Sequence, residues 1–218
     1  MKEIFVRALS GSVYAFAIIG SLLYNEIIFY SILLLFVSLT VFEFEKLTNN
    51  KSFFSYIFLI IIWGSFIQLD TTYKYYLKFL IIPTLLSHVL LILWLYSKFD
   101  ITKKKIVKNL LSIFYIILSG FFIIYLTEFN NEYNPYILIL LYTLTWVNNT
   151  FAYIIGTLFG KNLIFKSISP KKSWEGLIGG IIFCFSTFYL MIYLNFPIEK
   201  KLILAITICV PILNLYGD

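Results

Sequence analysis

An all-α, polytopic transmembrane helix bundle of about eight spans, with its N-terminus in the cytoplasm, is the fold class this sequence predicts. Three observations predict it. The composition is too apolar for a water-soluble globule, the apolar residues fall in runs of membrane-spanning length, and the basic residues cluster on alternate loops. Of 218 residues, 61% are hydrophobic and 13% charged, with a mean hydropathy of +0.90. A soluble domain carries about 25% charged residues and is roughly half apolar.

Charged and polar breaks bound the expected spans at residues 8–24, 27–42, 53–69, 75–95, 110–126, 136–159, 177–194 and 202–216. Runs of roughly 17–25 residues match a hydrocarbon core of about 30 Å at 1.5 Å per residue. Only Asn25 and Glu26 separate the first two, so they read as a tight hairpin. The first run lacks a small-residue cleavage site and further spans follow at once, so it reads as a span and not a cleaved leader. No long linker or internal repeat interrupts the set, and residues 1–218 read as a single integral membrane domain.

A cytoplasmic N-terminus gathers most of the basic residues on one side. Lys2, Arg7, Lys46 and Lys51 fall there, as do Lys98, Lys103, Lys104, Lys105 and Lys108, and then Lys161, Lys166, Lys171 and Lys172. Only Lys74, Lys78, Lys200 and Lys201 fall opposite. This is the positive-inside pattern. The net charge of +6 accordingly points to anionic lipid headgroups and topology, with nucleic acid not among the expected partners. Cys184 and Cys209 sit in apolar stretches without metal-ligand spacing and read as packing residues.

The stretch 146–180 holds most of the unusual chemistry. Asn149, Tyr153, Gly156 and Gly160 recur at i, i+4, i+7 and i+11, one small and polar helical stripe. Such a stripe faces protein or a watery cavity rather than lipid. The glycines read as close helix packing. For Asn149 with Tyr153, packing and cavity lining remain open alternatives. The following segment, 167–176, reads as a loop: Pro170 stops a helix, Lys171 and Lys172 place two charges at the surface, and Glu175 with Gly176 opens the next span. Such lysines hold phosphates in some proteins and merely set topology in others. Ser169-Pro170 before the lysines, with Trp174-Glu175-Gly176 and Gly179-Gly180 after them, serves no topological purpose.

Elsewhere, Glu43 and Glu45 lie about 200° apart on a helix and cannot share a metal while helical. Glu43 reads as a solvated helix end, His88 as a packing histidine, and Lys103 to Lys105 as a lipid-surface cluster.

The string Ile168-Ser169-Pro170-Lys171-Lys172-Ser173-Trp174-Glu175-Gly176, followed by Gly179-Gly180, resembles the internal motif of bacterial phosphatidate cytidylyltransferases. The preceding Asn148-Asn149-Thr150-Phe151-Ala152-Tyr153, with Gly156 and Phe159-Gly160-Lys161, resembles the helix before that motif. Arg7 with Ser10-Gly11, and Glu43-Phe44, fit more loosely. The resemblance implies a multi-helix enzyme of the cytoplasmic membrane, acting at its cytoplasmic face, that joins CTP to phosphatidate to give CDP-diacylglycerol and diphosphate with Mg²⁺ as cofactor. It implies that Lys171, Lys172, Ser169 and Lys161 hold substrate phosphates and that Asn149, Tyr153 and Glu175 line the site. CTP, phosphatidate and membrane lipids are the implied partners, with a homodimer among the candidate assemblies.

The family pattern carries an acidic residue at the position of Asn149 and a basic one at Thr157. An asparagine carbonyl offers a metal no negative charge, so Mg²⁺ is expected to bind more weakly. Gly217-Asp218 resembles the start of the family's C-terminal segment, whose metal-binding carboxylates begin with Asp218 and otherwise follow it. The expectation is that residues 1–218 alone have little activity. The alternatives are a related CTP-using lipid enzyme, of polyprenol kinase or CDP-archaeol synthase type, and a small transporter or structural membrane protein. The last predicts charges deep in spans or paired interrupted helices, of which only His88 and Pro83 are mild instances.

Overall fold

Each expected apolar run becomes a helix. The computed structural model describes residues 2–50, 52–68, 77–95, 104–129, 132–165 and 169–217. Its helices are α1 (Lys2–Tyr24), α2 (Glu26–Leu47), α3 (Phe54–Gln68), α4 (Ile81–Leu95, entered through a 3₁₀ turn at Lys78–Leu80), α5 (Lys105–Tyr125), α6 (Tyr136–Phe159), α7 (Trp174–Tyr193) and α8 (Lys200–Gly217). The all-α membrane class therefore holds, but the span count does not. Among the described residues, four helices are long and apolar enough to cross a membrane: α2, α5, α6 and α7. Shorter apolar helical stretches cover Gly11–Tyr24, Phe54–Phe66 and Lys78–Trp94. Helices α3 and α4 have 15 residues each, about 22 Å of rise against a core of about 30 Å.

The contacts divide into two compact units, Met1–Asn134 and Pro135–Asp218. In the first, Asn25 makes the expected hairpin by capping α2, its Oδ1 accepting from Ile27 N at 2.8 Å and Ile28 N at 3.4 Å. The far end of α2 closes with Asn49 at φ 50, while Asn50 N donates to Glu45 O and Asn49 N to Lys46 O. That paired arrangement satisfies carbonyls a helix end leaves open, and asparagine tolerates the left-handed turn it needs.

The core of this unit is aromatic and aliphatic. Phe29, Phe66, Phe121 and Ile117 are fully or almost fully buried, and Phe66 meets Phe121 edge-on at 5.4 Å. Trp63 Nε1 donates to Tyr30 O, and Tyr30 shares a hydrogen bond with Thr127. A π-helical segment, Ser112–Ile117, interrupts α5, and Gly120 lets α5 approach Val37 of α2 too closely for a side chain. His88 packs as expected: Nδ1 lies 2.8 Å from Thr84 O, Nε2 3.5 Å from Ser119 Oγ, and the ring sits against Tyr115. Among the described residues, two short strand pairs form, β1 (Glu128–Phe129) with β2 (Glu132–Tyr133), and β3 (Leu163–Phe165) with β4 (Ser169–Ser173).

In the second unit, α6, α7 and α8 bury Leu140, Leu144, Cys184, Ile203 and Val210 together. Cys184 is a free, buried thiol that packs as expected, whereas Cys209 is exposed and does not pack in this core.

Candidate active site

The site grows from the contact of α6 with α7. A Cβ placed on Gly176 would lie 2.6 Å from Ala152 O and 3.2 Å from the Cα of Gly156, and one on Gly180 would lie 2.5 Å from Asn148 Oδ1. Only glycine allows these backbones to approach so closely. The packing thus uses both expected glycines, since a Cβ on Gly160, which ends α6 in extended geometry, would lie 2.7 Å from Ser173 Oγ. It also turns the neighbouring polar positions of α6 toward one cavity.

That cavity has a volume of about 260 Å³. From α6 it is lined by Asn148, Asn149 and Tyr153; from β4 by Ser169, Lys172 and Ser173; and from α8 by Asn214 and Leu215. Asn149 Oδ1 accepts from Asn148 Nδ2 and from Asn214 Nδ2, each at 3.3 Å, so three side-chain amides form one network. Asn148 is buried, and its own Oδ1 has no hydrogen-bond partner. Lys172 Nζ donates to Leu215 O at 2.9 Å and to Asn214 O at 3.4 Å.

Of the expected loop, residues 167 and 168 lie outside the described residues, and Ser169–Ser173 form a strand, β4, paired with β3. Leu163 pairs with Ser173 and Phe165 with Ser169, with an irregularity between. Pro170 fits β4 because a two-stranded ribbon leaves one side of each strand unpaired. Helix α7 starts three residues earlier than expected because Ser173 caps it, accepting from Gly176 N at 3.2 Å. Glu175 serves that junction. Its carboxylate accepts from Lys161 N, Asn162 N and Asn162 Nδ2, the last at 2.8 Å.

The structure therefore brings together Ser169, Lys172, Asn149 and Tyr153 of the expected site. Lys161 and Glu175 stand beside it at the base of the strand pair, outside the lining set. Lys171 belongs to β4 by its backbone, its side chain lying outside the described residues, as does Asp218. Sequence reasoning missed Asn214, a lone amide in an apolar helix, and Asn148, the residue beside a singled-out one. The signal for Asn214 was its polarity within the run 202–216.

The pattern of the cytidylyltransferase family matches residues 5–218. A phosphatidate cytidylyltransferase of Aquifex aeolicus is 40% identical over 72 residues, covering 33% of this chain and 27% of that protein. One of Staphylococcus saprophyticus is 37% identical over 110 residues, covering 50% of this chain and 41% of its own. The chain thus matches less than half the length of either relative. No solved structure matches. With nearly the whole chain inside the family pattern, this protein belongs to the cytidylyltransferase family.

Proposed function

We propose that this chain carries the substrate-holding part of a phosphatidate cytidylyltransferase, which joins CTP to phosphatidate in the cytoplasmic membrane. The observation that supports it is the gathering of Lys172, Ser169 and a three-asparagine network in one cavity among membrane helices. The names of the relatives agree with it. In the reaction, a phosphate oxygen of phosphatidate attacks the α-phosphorus of CTP. The bond from that phosphorus to its β-bridging oxygen breaks, and diphosphate leaves with the electron pair.

Two highly anionic groups must meet, so catalysis is chiefly positioning and charge neutralisation. Lys172, held at the end of α8, supplies a fixed positive charge; Ser169 and the amides of Asn149 and Asn214 offer polar groups for phosphate and nucleotide. The bias of basic residues toward alternate loops supports a cytoplasmic position for this cavity, where CTP is available.

Magnesium is part of the reading by resemblance. The described lining residues offer amide oxygens from Asn148, Asn149 and Asn214 but no carboxylate, and Lys172 adds a positive charge. That set alone does not fit a hard dication, and no step is assigned to one.

The test is to give membranes containing the product of the whole reading frame labelled CTP with either phosphatidate or a polyprenol. The proposal expects CDP-diacylglycerol and diphosphate with phosphatidate only. Labelled phosphate on the polyprenol, or no phosphatidate-dependent product, would sink it.

A further inference from the structure

An amide can meet a ligand through its oxygen, to a metal ion, or through its N–H, to an anion. In the asparagine-lined cavity the choice for Asn149 is already made. Its Oδ1 accepts from Asn148 Nδ2 on one side and from Asn214 Nδ2 on the other, each at 3.3 Å. A carbonyl oxygen has two lone pairs, and both are taken by neighbouring side chains. The polar group that Asn149 has left for a ligand is Nδ2, a donor.

Both neighbours are held in place. Asn148 is 4% exposed, and its side chain is set against α7, where a Cβ on Gly180 would lie 2.5 Å from Asn148 Oδ1. Asn214 belongs to the turn of α8 whose carbonyls, at Asn214 and Leu215, accept from Lys172 Nζ. Drawing Asn149 Oδ1 onto a metal ion would strip the acceptor from two part-buried N–H groups, which is costly. Lys172 lines the same cavity, and its charge repels a cation and attracts an anion.

We infer that Asn149 donates through Nδ2 to a phosphate oxygen of the bound substrate and is not a metal ligand. Asn149 then supplies one directed hydrogen bond to the anion that Lys172 neutralises. This role rests on the reading of the cavity as a phosphate site, and it concerns the Asn149 contact alone.

Calorimetry of the purified product of the whole reading frame, in detergent with a metal chelator, tests this with two probes. Inorganic diphosphate stands for the nucleotide and dioctanoyl phosphatidate for the lipid. Asn149→Asp keeps an oxygen for Asn148 and Asn214 but replaces the donor by an anionic oxygen. The wild-type chain should bind at least one probe without metal, and Asn149→Asp should bind that probe about tenfold more weakly or worse. The probe affected names the phosphate that Asn149 meets. Equal or tighter binding of both probes by Asn149→Asp would overturn the inference, as would a wild-type chain that binds neither without metal. If the variant does not fold, the Asn149 side-chain amide signal in the wild-type magnetic resonance spectrum decides. It should shift when a probe is added in chelator, and an unmoved signal overturns the role. Neither probe requires turnover, so metal-free binding of this kind without CDP-diacylglycerol formation would keep the donor role and sink the proposed reaction. Product formation with unaltered binding by Asn149→Asp would do the reverse.

Discussion

Lys172 donates to the backbone oxygen of Leu215 at 2.9 Å, tying the strand before α7 to the last turn of α8. The same ammonium lines the asparagine-rich cavity, so one side chain both closes the three-helix unit and gives its cavity a positive charge.

Replacing Lys172 by Met removes that tie and leaves carbonyls at the end of α8 without their cation. The expected cost is about 1–2 kcal/mol, from hydrogen bonds to a charged group at a part-buried site. Faster amide exchange at the end of α8 and a lower thermal midpoint in detergent would show it. Unchanged exchange there would deny the tie any structural role.

Gly176→Ala tests the helix contact. The added methyl would stand 2.6 Å from Ala152 O, a backbone atom that cannot swing aside. Overpacking of this kind costs about 1–3 kcal/mol. Ile178→Ala is the control on the same helix, since Ile178 is 54% exposed. The Gly176→Ala midpoint should fall clearly below that of the control, and equal midpoints would contradict the close approach.

Asn149 accepts two side-chain N–H groups. Asn149→Ala leaves both donors without their acceptor and should cost about 1–3 kcal/mol. Asn149→Asp keeps an oxygen in place and should retain most of the stability. Thermal unfolding of the two variants side by side checks the difference.

Ser173→Ala removes the cap that starts α7. Loss of such a cap costs about 1 kcal/mol, whereas Ser173→Asp should preserve it. A Ser173→Asp chain as unstable as Ser173→Ala would contradict the capping assignment.

Much of the fold was legible because hydropathy alone decides where a chain can cross lipid. Each of the eight apolar runs became a helix, and the Asn25 hairpin followed from two polar residues between them. The span count was less legible. Apolar runs record what tolerates lipid, but among the described residues α3 and α4 cover 15 residues each, less than its thickness. The pairing of β3 and β4 was hidden because Pro170 and its lysines resemble loop chemistry, and the pairing partners, Leu163 and Phe165, lie on a separate strand.

In the site, Asn149, Tyr153, Ser169 and Lys172 were legible from helical spacing and from the motif. Asn214 was not, since its partner Asn149 lies 65 residues away and only packing brings the two together. Glu175 entered the expected site through the family resemblance; its carboxylate accepts from the amides of Lys161 and Asn162 at the start of α7.

CTP binding to the chain in phosphatidate-containing nanodiscs, compared between wild type and Lys172→Gln, tests most directly whether this cavity holds substrate phosphates. The account predicts about tenfold weaker binding or more in the variant, the worth of one charged phosphate contact, with the helical spectrum retained. Equal affinity for CTP in a folded Lys172→Gln chain would contradict it.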